Sequence, residues 1–515
     1  MKISTYLISL SEYIFETIVV FIVFRIVITN LGLNYVGVWS LAMSLMALTS
    51  VGSSGFASSA VKFVSENYSN GDYDKTRQVI TTTFYAVLII SLTMSGLTYA
   101  AFLIYGEKYL KLFEYQILDQ IILIIFASFI LGSAGRVFIS SLDGMLEINK
   151  RSITGIISKI FYFVFSVGLL KEYGLWGLAV GLVIKETVSM VIAVYFVTRK
   201  LNYNILSPVC VNGQVFREIF NYGYKFQLNS IIGMLTDPVT KFLIKDFGGL
   251  HLLGLFDIIY KFFWQARMLI VVVMNTYLPT LAGRNQKDSL PFTRFFNFTF
   301  SFSLLALALV FPLIPLIMHF LKLENIAIVY VISIALLLSL FVNLLGTTAY
   351  IHNLANGQLN SILHGTLLFT FISIAGGYAA GKLFYFNGFL VLWILAHCIS
   401  TLYLVIYYLR KQAIPFIEIF DWAYLRISIL IITAVGIISI FSFYFYGSIN
   451  SLLLAGINLS FLTCTGLLLF HFEARFRYPI AFVLQKFNLP FTKSKNHKLA
   501  DRLHQPVRPD KVTNI

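Results

Sequence analysis

Charged residues interrupt several long apolar stretches of this chain, and their spacing limits what they can do. Asp237 and Lys241 are four positions apart, as are Asp257 and Lys261, so each pair can meet on one face of a helix. Pro238 predicts a bend, because proline removes a backbone donor and clashes with the preceding turn. A gate or ion-coupling site is one interpretation, and a purely structural ion pair the other, for Asp237, Pro238, Asp257 and Lys261.

Cations inside the apolar stretches outnumber the acids there. An ionised side chain in hydrocarbon costs at least ~2.5 kcal/mol, so such residues usually face a protein interior or a water-filled cavity. We predict a polar path lined by Arg25, Lys159, Lys185, Lys241 and Arg267. Its positive charge favours an anionic cargo. Lys185 and Glu186 are chain neighbours and should point in different directions, so at least one of them needs another partner.

The composition is that of an integral membrane protein. The 515 residues are 58% hydrophobic and only 12% charged, whereas a soluble domain is about a quarter charged. A helix needs ~20 apolar residues to cross a bilayer, which predicts an all-α membrane fold of about fourteen spans. The predicted spans are residues 10–30, 37–61, 79–105, 117–141, 153–170, 175–197, 222–246, 251–281, 295–319, 327–350, 361–381, 388–408, 425–447 and 450–471.

The distribution of basic residues predicts the orientation. One alternating set of loops carries most of the positive charge, and the other set has few lysines; the basic set includes Lys75, Lys150, Arg151, Arg217, Arg284, Arg410 and the tail. Positive residues stay on the cytoplasmic side of a membrane, so both termini are expected inside. This asymmetry accounts for the net charge of +15 without any binding of nucleic acid.

Two similar segments indicate an internal repeat. Residues 32–39 read Gly-Leu-Asn-Tyr-Val-Gly-Val-Trp, and residues 249–256 read Gly-Leu-His-Leu-Leu-Gly-Leu-Phe. Six predicted spans separate them, so both copies point the same way, as in two lobes related by an axis along the membrane normal. The predicted domains are an N-terminal lobe at 1–200, a C-terminal lobe at 217–412, two extra spans at 425–471 and a basic cytoplasmic tail at 472–515.

The sequence carries no recognisable catalytic or cofactor signature. It has no glycine-rich phosphate loop and no His/Cys cluster, and its three cysteines lack metal or redox spacing. The predicted outer loops are short. We therefore predict a transporter that needs no cofactor and no metal, rather than an enzyme. The cleft between two lobes is the usual place for a substrate in alternating access.

Residues 30–74 resemble the N-terminal signature of polysaccharide flippases in the multidrug/oligosaccharidyl-lipid/polysaccharide exporter superfamily. The matching stretches are Asn30-Leu31-Gly32, Val36 to Leu41, the small residues from Gly52 to Ala60, Val61 to Glu66, Asn70-Gly71-Asp72 and the loop from Leu142 to Lys150. The specific motifs cover about the first 150 residues, and the general layout covers most of the chain.

This resemblance implies an O-antigen-type flippase of the bacterial inner membrane, serving lipopolysaccharide or another surface polysaccharide. Its substrate would be an oligosaccharide on undecaprenyl pyrophosphate, moved through the lipid bilayer, with the polysaccharide polymerase machinery as a candidate partner. Two alternatives stay open. A multidrug exporter on the same fold is disfavoured by the positive path, and a membrane polysaccharide polymerase or ligase is disfavoured by the short outer loops.

Overall fold

The chain folds into a bundle of long helices. The computed structural model describes residues 3–50, 54–202, 211–275, 292–308, 310, 313–323, 325–355, 358–415, 422–445, 453–454, 456–461 and 463. All long regular elements within these ranges are helices, and six of them are long and apolar enough to cross a membrane. The predicted all-α membrane fold is confirmed, whereas the number of fourteen spans stays a prediction.

The N-terminal half of the chain, residues 3–202, forms seven of the described helices. They are α1 (Ile3–Asn30), α2 (Leu33–Thr49), α3 (Ser54–Ser69), α4 (Tyr73–Tyr109), α5 (Leu112–Gly144), α6 (Ile148–Tyr173) and α7 (Leu175–Leu201). Local chemistry sets several ends. Asp72 caps α4 by accepting a 2.9 Å hydrogen bond from the backbone N–H of Lys75. Gly174, at φ +57°, ends α6 and turns the chain into α7.

The second part of the chain continues the bundle. Its described helices are α8 (Gly213–Asn275), α9 (Phe292–Ala308), α10 (Ile314–Leu321), α11 (Ile326–Ala355), α12 (Leu359–Phe371), a π-helical segment (Ile372–Gly376), α13 (Gly377–Gln412) and α14 (Trp422–Phe445). α8 breaks at Gly249 and α13 at Phe384–Tyr385. The two parts of α8 correspond to the seventh and eighth predicted spans.

Some predicted spans differ from the helices that the structure describes. The second predicted span falls on both α2 and α3, and the ninth falls on both α9 and α10. Most of the fourteenth span and all of the basic tail lie outside the described residues. Pro238 is inside α8, whose non-helical backbone angles are at Gly249, so the bend at Pro238 stays a prediction.

The two repeated segments adopt the same backbone turn. Gly32 has φ 95° and ψ 169°, and Gly249 has φ 78° and ψ 173°. Side chains other than hydrogen rarely tolerate this positive φ, so glycine is required at both positions. Each turn joins a helix that approaches one end of the bundle to a helix that leaves it. We call this end, which carries residues 32–39 and 249–256, the repeat end.

The two repeated segments also pack against each other reciprocally. A Cβ built on Gly37 would overlap the carbonyl oxygen of Leu250, and one built on Gly254 would lie 2.5 Å from the carbonyl oxygen of Leu33. Leu33 and Gly37 occupy the same places in their segment as Leu250 and Gly254 do in theirs. Such an exchange of equivalent contacts is typical of a twofold relation. α2 and the second part of α8 therefore cross with their backbones in contact at Gly37 and Gly254, and we call this contact the glycine crossing.

The apolar core follows this arrangement. One large cluster runs through both halves and includes Val27, Val36, Leu178, Ile244, Leu253, Leu336 and Phe389. Two smaller clusters lie apart from it, one built mainly by α3, α4, α5 and α7, the other by α9, α11 and α13. The halves are thus joined through one shared core, and each keeps a smaller core of its own.

Candidate functional site

The turn at Gly249 brings four charged residues of α8 together. Lys241 lies eight residues before Gly249 and Asp257 eight residues after it, so the turn places them side by side. The Lys241 Nζ atom lies 3.3 Å from Asp257 and 3.2 Å from Asp237. Lys261 donates a 2.6 Å hydrogen bond to the second carboxylate oxygen of Asp257. The two predicted i,i+4 pairs therefore form one group, which we call the charged quartet.

The charged quartet balances itself. It holds two carboxylates and two ammonium groups, and the Asp257 side chain is only 1% exposed. Burying one ion from water costs several kcal/mol, so each charge needs its partner. Asp237 is the most exposed member, at 47% of its side chain. Lys241 and Lys261 are consequently ion-paired with aspartates, and the quartet adds no net charge to the predicted polar path.

Two other predicted path cations are also paired. The Lys159 Nζ atom, on α6, lies 3.1 Å from Glu12 and 2.9 Å from Glu16, both on α1. Lys185 lies 2.8 Å from Glu186, its neighbour on α7. The prediction that these neighbours must point apart is wrong, because both side chains are long enough to turn toward each other. Of the five predicted cations, three are thus held by carboxylates.

Arg25 and Arg267 differ from the three lysines. Neither arginine has a carboxylate within ion-pair distance among the residues that the structure describes. The Arg25 guanidinium is exposed and lies 4.6 Å from the centroid of the Phe320 ring. Arg267 Nε donates a 2.9 Å hydrogen bond to the side-chain oxygen of Asn343. Guanidinium groups held this way keep donors for a phosphate or carboxylate.

Aromatic rings extend from Arg267 along one face of α8. The Arg267 guanidinium lies 4.5 Å from the Trp264 ring centroid, and Trp264 lies 5.5 Å from Tyr260. Trp393 of α13 contacts Tyr260 at 6.1 Å and completes this aromatic wall. The sequence analysis missed these rings, although Phe256, Tyr260 and Trp264 recur every four residues, as side chains on one helix face do.

A further ion pair joins the halves near the repeat end. The Lys245 Nζ atom lies 3.4 Å from Glu114 at the start of α5 and 2.9 Å from Asp246. It also donates a 3.3 Å hydrogen bond to the carbonyl oxygen of Tyr109. Lys245 and Glu114 are both buried. This pair fixes the first part of α8 to the α4–α5 turn.

The opposite end of the N-terminal half carries its own charge network. Arg151 lies 3.3 Å from Asp143 and 3.7 Å from Glu12. Glu147, in the turn between α5 and α6, pairs with Lys200 at 2.8 Å and Lys150 at 3.2 Å. The hydrogen bond from Lys200 lowers the pKa of Glu147 below its usual value. Among the described residues no group of three or more His, Cys, Asp or Glu side chains could hold a metal ion.

A bundle of long apolar helices defines a multi-pass membrane protein, and solved structures of transporters share its fold. One is an inward-facing multidrug resistance MATE family transporter of the MOP superfamily, with TM-score 0.68, 12% identity and coverage of 79% of this chain and 98% of that chain. Another is the lipid II flippase MurJ in an inward closed conformation, with TM-score 0.65, 14% identity and coverage of 90% and 98%.

A third structure is a MOP superfamily transporter from Pyrococcus furiosus with a binding pocket of reversed polarity, at TM-score 0.58, 15% identity and coverage of 80% and 94%. At such identities the likeness concerns the fold.

Residues 3–283 match the family model described as polysaccharide biosynthesis protein. The match spans more than half of the chain, which therefore belongs to this family. The resemblance to the superfamily's polysaccharide exporters is confirmed. A comparison with curated protein sequences gives no match.

Proposed function

We propose that this protein moves an oligosaccharide linked to undecaprenyl pyrophosphate across the bacterial inner membrane for surface polysaccharide synthesis. The observation that carries the proposal is the pair of arginines that have no carboxylate partner in the described part of the chain, one of which adjoins an aromatic wall. Guanidinium donors fit a pyrophosphate bidentately. Aromatic faces suit the apolar faces of sugar rings. Membership of the polysaccharide biosynthesis protein family and the fold shared with a lipid II flippase support the same substrate class.

The proposed mechanism is alternating access between two lobes, at 1–200 and 217–412. The repeat end is the outer end, and there the glycine crossing and the Lys245–Glu114 pair close the path. The charged quartet joins the two parts of α8 within the C-terminal lobe, so it holds these helices together as one unit while the lobes rock, with Pro238 as the point of bending. Arg267, eighteen residues after Gly249, then receives the anionic head of the cargo from the cytoplasmic side, and Arg25, seven residues before Gly32, receives it nearer the repeat end.

The arginines supply the decisive test. Arg267→Gln is expected to reduce polysaccharide export at least tenfold and to accumulate lipid-linked intermediate inside, with unchanged membrane abundance, because a phosphate loses a charged donor worth about 1.5–3 kcal/mol. Arg267→Lys should retain part of the export, since lysine keeps the charge but lacks the planar fork. Arg25→Gln and Arg25→Lys should repeat the pattern. The measurement is complementation of an export-deficient strain, with protein abundance followed in parallel.

The paired lysines provide the matched comparison. If Lys185 only balances Glu186, the double variant Lys185→Gln/Glu186→Gln should export normally, whereas Lys185→Gln alone leaves a partly buried carboxylate and should export less. Normal export by both Arg25→Gln and Arg267→Gln would remove the substrate role of the arginines. Loss of export in the paired variant would extend that role to Lys185.

A multidrug exporter is the second candidate, because the fold is shared with a multidrug transporter. The charged quartet disfavours it, since its buried carboxylate already faces two lysines and offers no unpaired negative charge to a cationic drug. Deletion of the protein should therefore leave resistance to cationic dyes unchanged while polysaccharide export falls. A membrane polymerase or ligase would instead leave lipid-linked repeat units on the outer leaflet when deleted.

The proposed orientation gives a separate prediction. Reporter fusions at Lys75, Arg151 and Arg217 are expected to report cytoplasm, because positive loops stay inside. Fusions at Asn34, Lys322 and Lys382 are expected to report the outside. The measurement compares alkaline phosphatase and green fluorescent protein activities at each site. Reversed signals at two or more sites would overturn the placement of the repeat end outside and of both termini in the cytoplasm.

A further inference from the structure

A cavity of about 850 Å³ opens at the repeat end, on the outer side of the glycine crossing. Both repeated segments line it, together with the start of α5 and the connection between α10 and α11. Asn34 and His251 hold the same place in their segments, and both face this cavity. The cavity therefore lies on the approximate twofold relation between the halves, where a path between them must end.

The lining of this cavity, which we call the outer pocket, combines aromatic and planar polar groups. Tyr35 and Phe113 form one wall, with their ring centroids 5.5 Å apart in an edge-to-face arrangement. Asn34 and Asn325 supply amide donors and acceptors. A pocket of this size with a few convergent polar groups is large enough for one or two sugar rings.

Charge narrows the ligand class. Lys322 and His251 line the outer pocket, and none of the described lining residues is an aspartate or glutamate. Lys322 follows α10 in a left-handed conformation at φ +54°, and its backbone N–H donates a 3.3 Å hydrogen bond to the carbonyl oxygen of His319. The backbone of Lys322 is thus held against the end of α10. The described part of the lining is therefore neutral to positive, and with its aromatic and amide groups it suits a sugar that carries a carboxylate.

We infer that the outer pocket binds an acidic sugar unit of the cargo as it leaves the path. Tyr35 and Phe113 face the ring, Asn34 and Asn325 bind hydroxyl groups, and Lys322 binds the carboxylate. This inference rests on the proposed function for the identity of the cargo, but neither Arg25 nor Arg267 is among the residues that line the outer pocket. It predicts that the repeat unit exported by this protein contains a uronic acid or a comparable acidic sugar.

The test uses the full chain in lipid nanodiscs, with glucuronate and glucose as probes. Saturation-transfer NMR is expected to show binding of glucuronate at least tenfold tighter than binding of glucose. Lys322→Gln should remove that preference and leave glucose binding unchanged, because only the carboxylate contact is lost. Asn34→Ala should weaken both sugars. Lys382→Gln is the matched control, since this exposed lysine packs on Tyr378 and does not line the outer pocket.

The outcomes separate this inference from the proposed function. Absence of binding by either sugar, or a glucuronate preference that survives Lys322→Gln, would overturn the outer pocket. If that happened while Arg267→Gln lost export, the flippase proposal would stand. Conversely, a Lys322-dependent glucuronate preference in a protein whose arginine variants export normally would support the pocket and refute the proposed route through the arginines.

Discussion

One added methyl group at Gly37 is expected to reduce polysaccharide export about fivefold or more. The Cβ of Gly37→Ala would overlap the carbonyl oxygen of Leu250, a backbone atom that cannot rotate away as a side chain can. Overpacking of this kind costs about 1–3 kcal/mol. That free energy would lower the equilibrium ratio of the closed to the open repeat end by a factor of about 5–150. Alanine otherwise favours a helix over glycine, so a loss cannot come from helix propensity.

The chain offers both a symmetry-related test and a control for this prediction. Gly254→Ala should behave like Gly37→Ala, because its Cβ would lie 2.5 Å from the carbonyl oxygen of Leu33. Gly168→Ala in α6 should export normally, since no described atom beyond its own turn of helix lies within 4 Å of a Cβ built there. Equal export by all three variants would show that the crossing does not need backbone contact.

A buried reporter can show whether the crossing opens. Ser40 lies one turn from Gly37 on α2 and is fully buried. A Ser40→Cys substitution, in a protein whose native cysteines are replaced by serine, should be protected from a membrane-impermeant maleimide. Adding Gly37→Ala should increase its labelling, whereas adding Gly168→Ala should not. Continued protection with Gly37→Ala would mean that the repeat end stays closed.

Replacing Asp257 by asparagine is expected to cost about 3–5 kcal/mol of stability, because it leaves the buried Lys241 and the partly buried Lys261 without their shared carboxylate. The Asp257 side chain is 1% exposed, and each of its oxygens faces one ammonium group. The size and shape of the side chain hardly change, so the loss reflects charge. The measurement is the amount of protein in the membrane, together with the midpoint of thermal unfolding in detergent.

Two further variants calibrate the effect at Asp257. Adding Lys261→Met to Asp257→Asn should recover part of the loss, because it removes the lysine that paired with Asp257, whereas Lys241 keeps Asp237 as its partner. Asp246→Asn should cost no more than about 1 kcal/mol, since its carboxylate is largely exposed and exposed ion pairs contribute little. Equal midpoints for Asp257→Asn and Asp246→Asn would contradict the structural importance of the buried carboxylate.

Local features of this protein could be predicted from its sequence, whereas contacts between distant elements could not. The all-α membrane fold follows from apolar length, and the equal turns at Gly32 and Gly249 follow from the repeated pattern. Asp237–Lys241 and Asp257–Lys261 pair as their spacing predicts. The bond from Lys241 to Asp257 needs the turn at Gly249, and the bond from Lys159 to Glu12 needs α1 to pack on α6. Sequence spacing carries neither fact.

The net charge of the predicted polar path depends most on these contacts between distant elements. A count of buried charges treats Lys159 and Lys185 like Arg25 and Arg267, but only the structure shows which of them have carboxylate partners. The outer pocket also could not be predicted from sequence spacing, because Asn34, His251 and Lys322 come from three separate segments. The four-residue spacing could have indicated the aromatic face of α8, but it could not have indicated that Trp393 of α13 packs against that face.

The neutrality of the charged quartet determines how the membrane voltage can act on this protein. Moving one elementary charge across the membrane involves about 2.3 kcal/mol of electrical work per 100 mV. A group of two aspartates and two lysines that moves together contributes no such work. Under the proposed function, the voltage therefore acts on the anionic cargo and on the two arginines but does no net work on the charged quartet. An inside-negative potential then pushes the pyrophosphate outward, and an arginine that travelled with it would reduce that push.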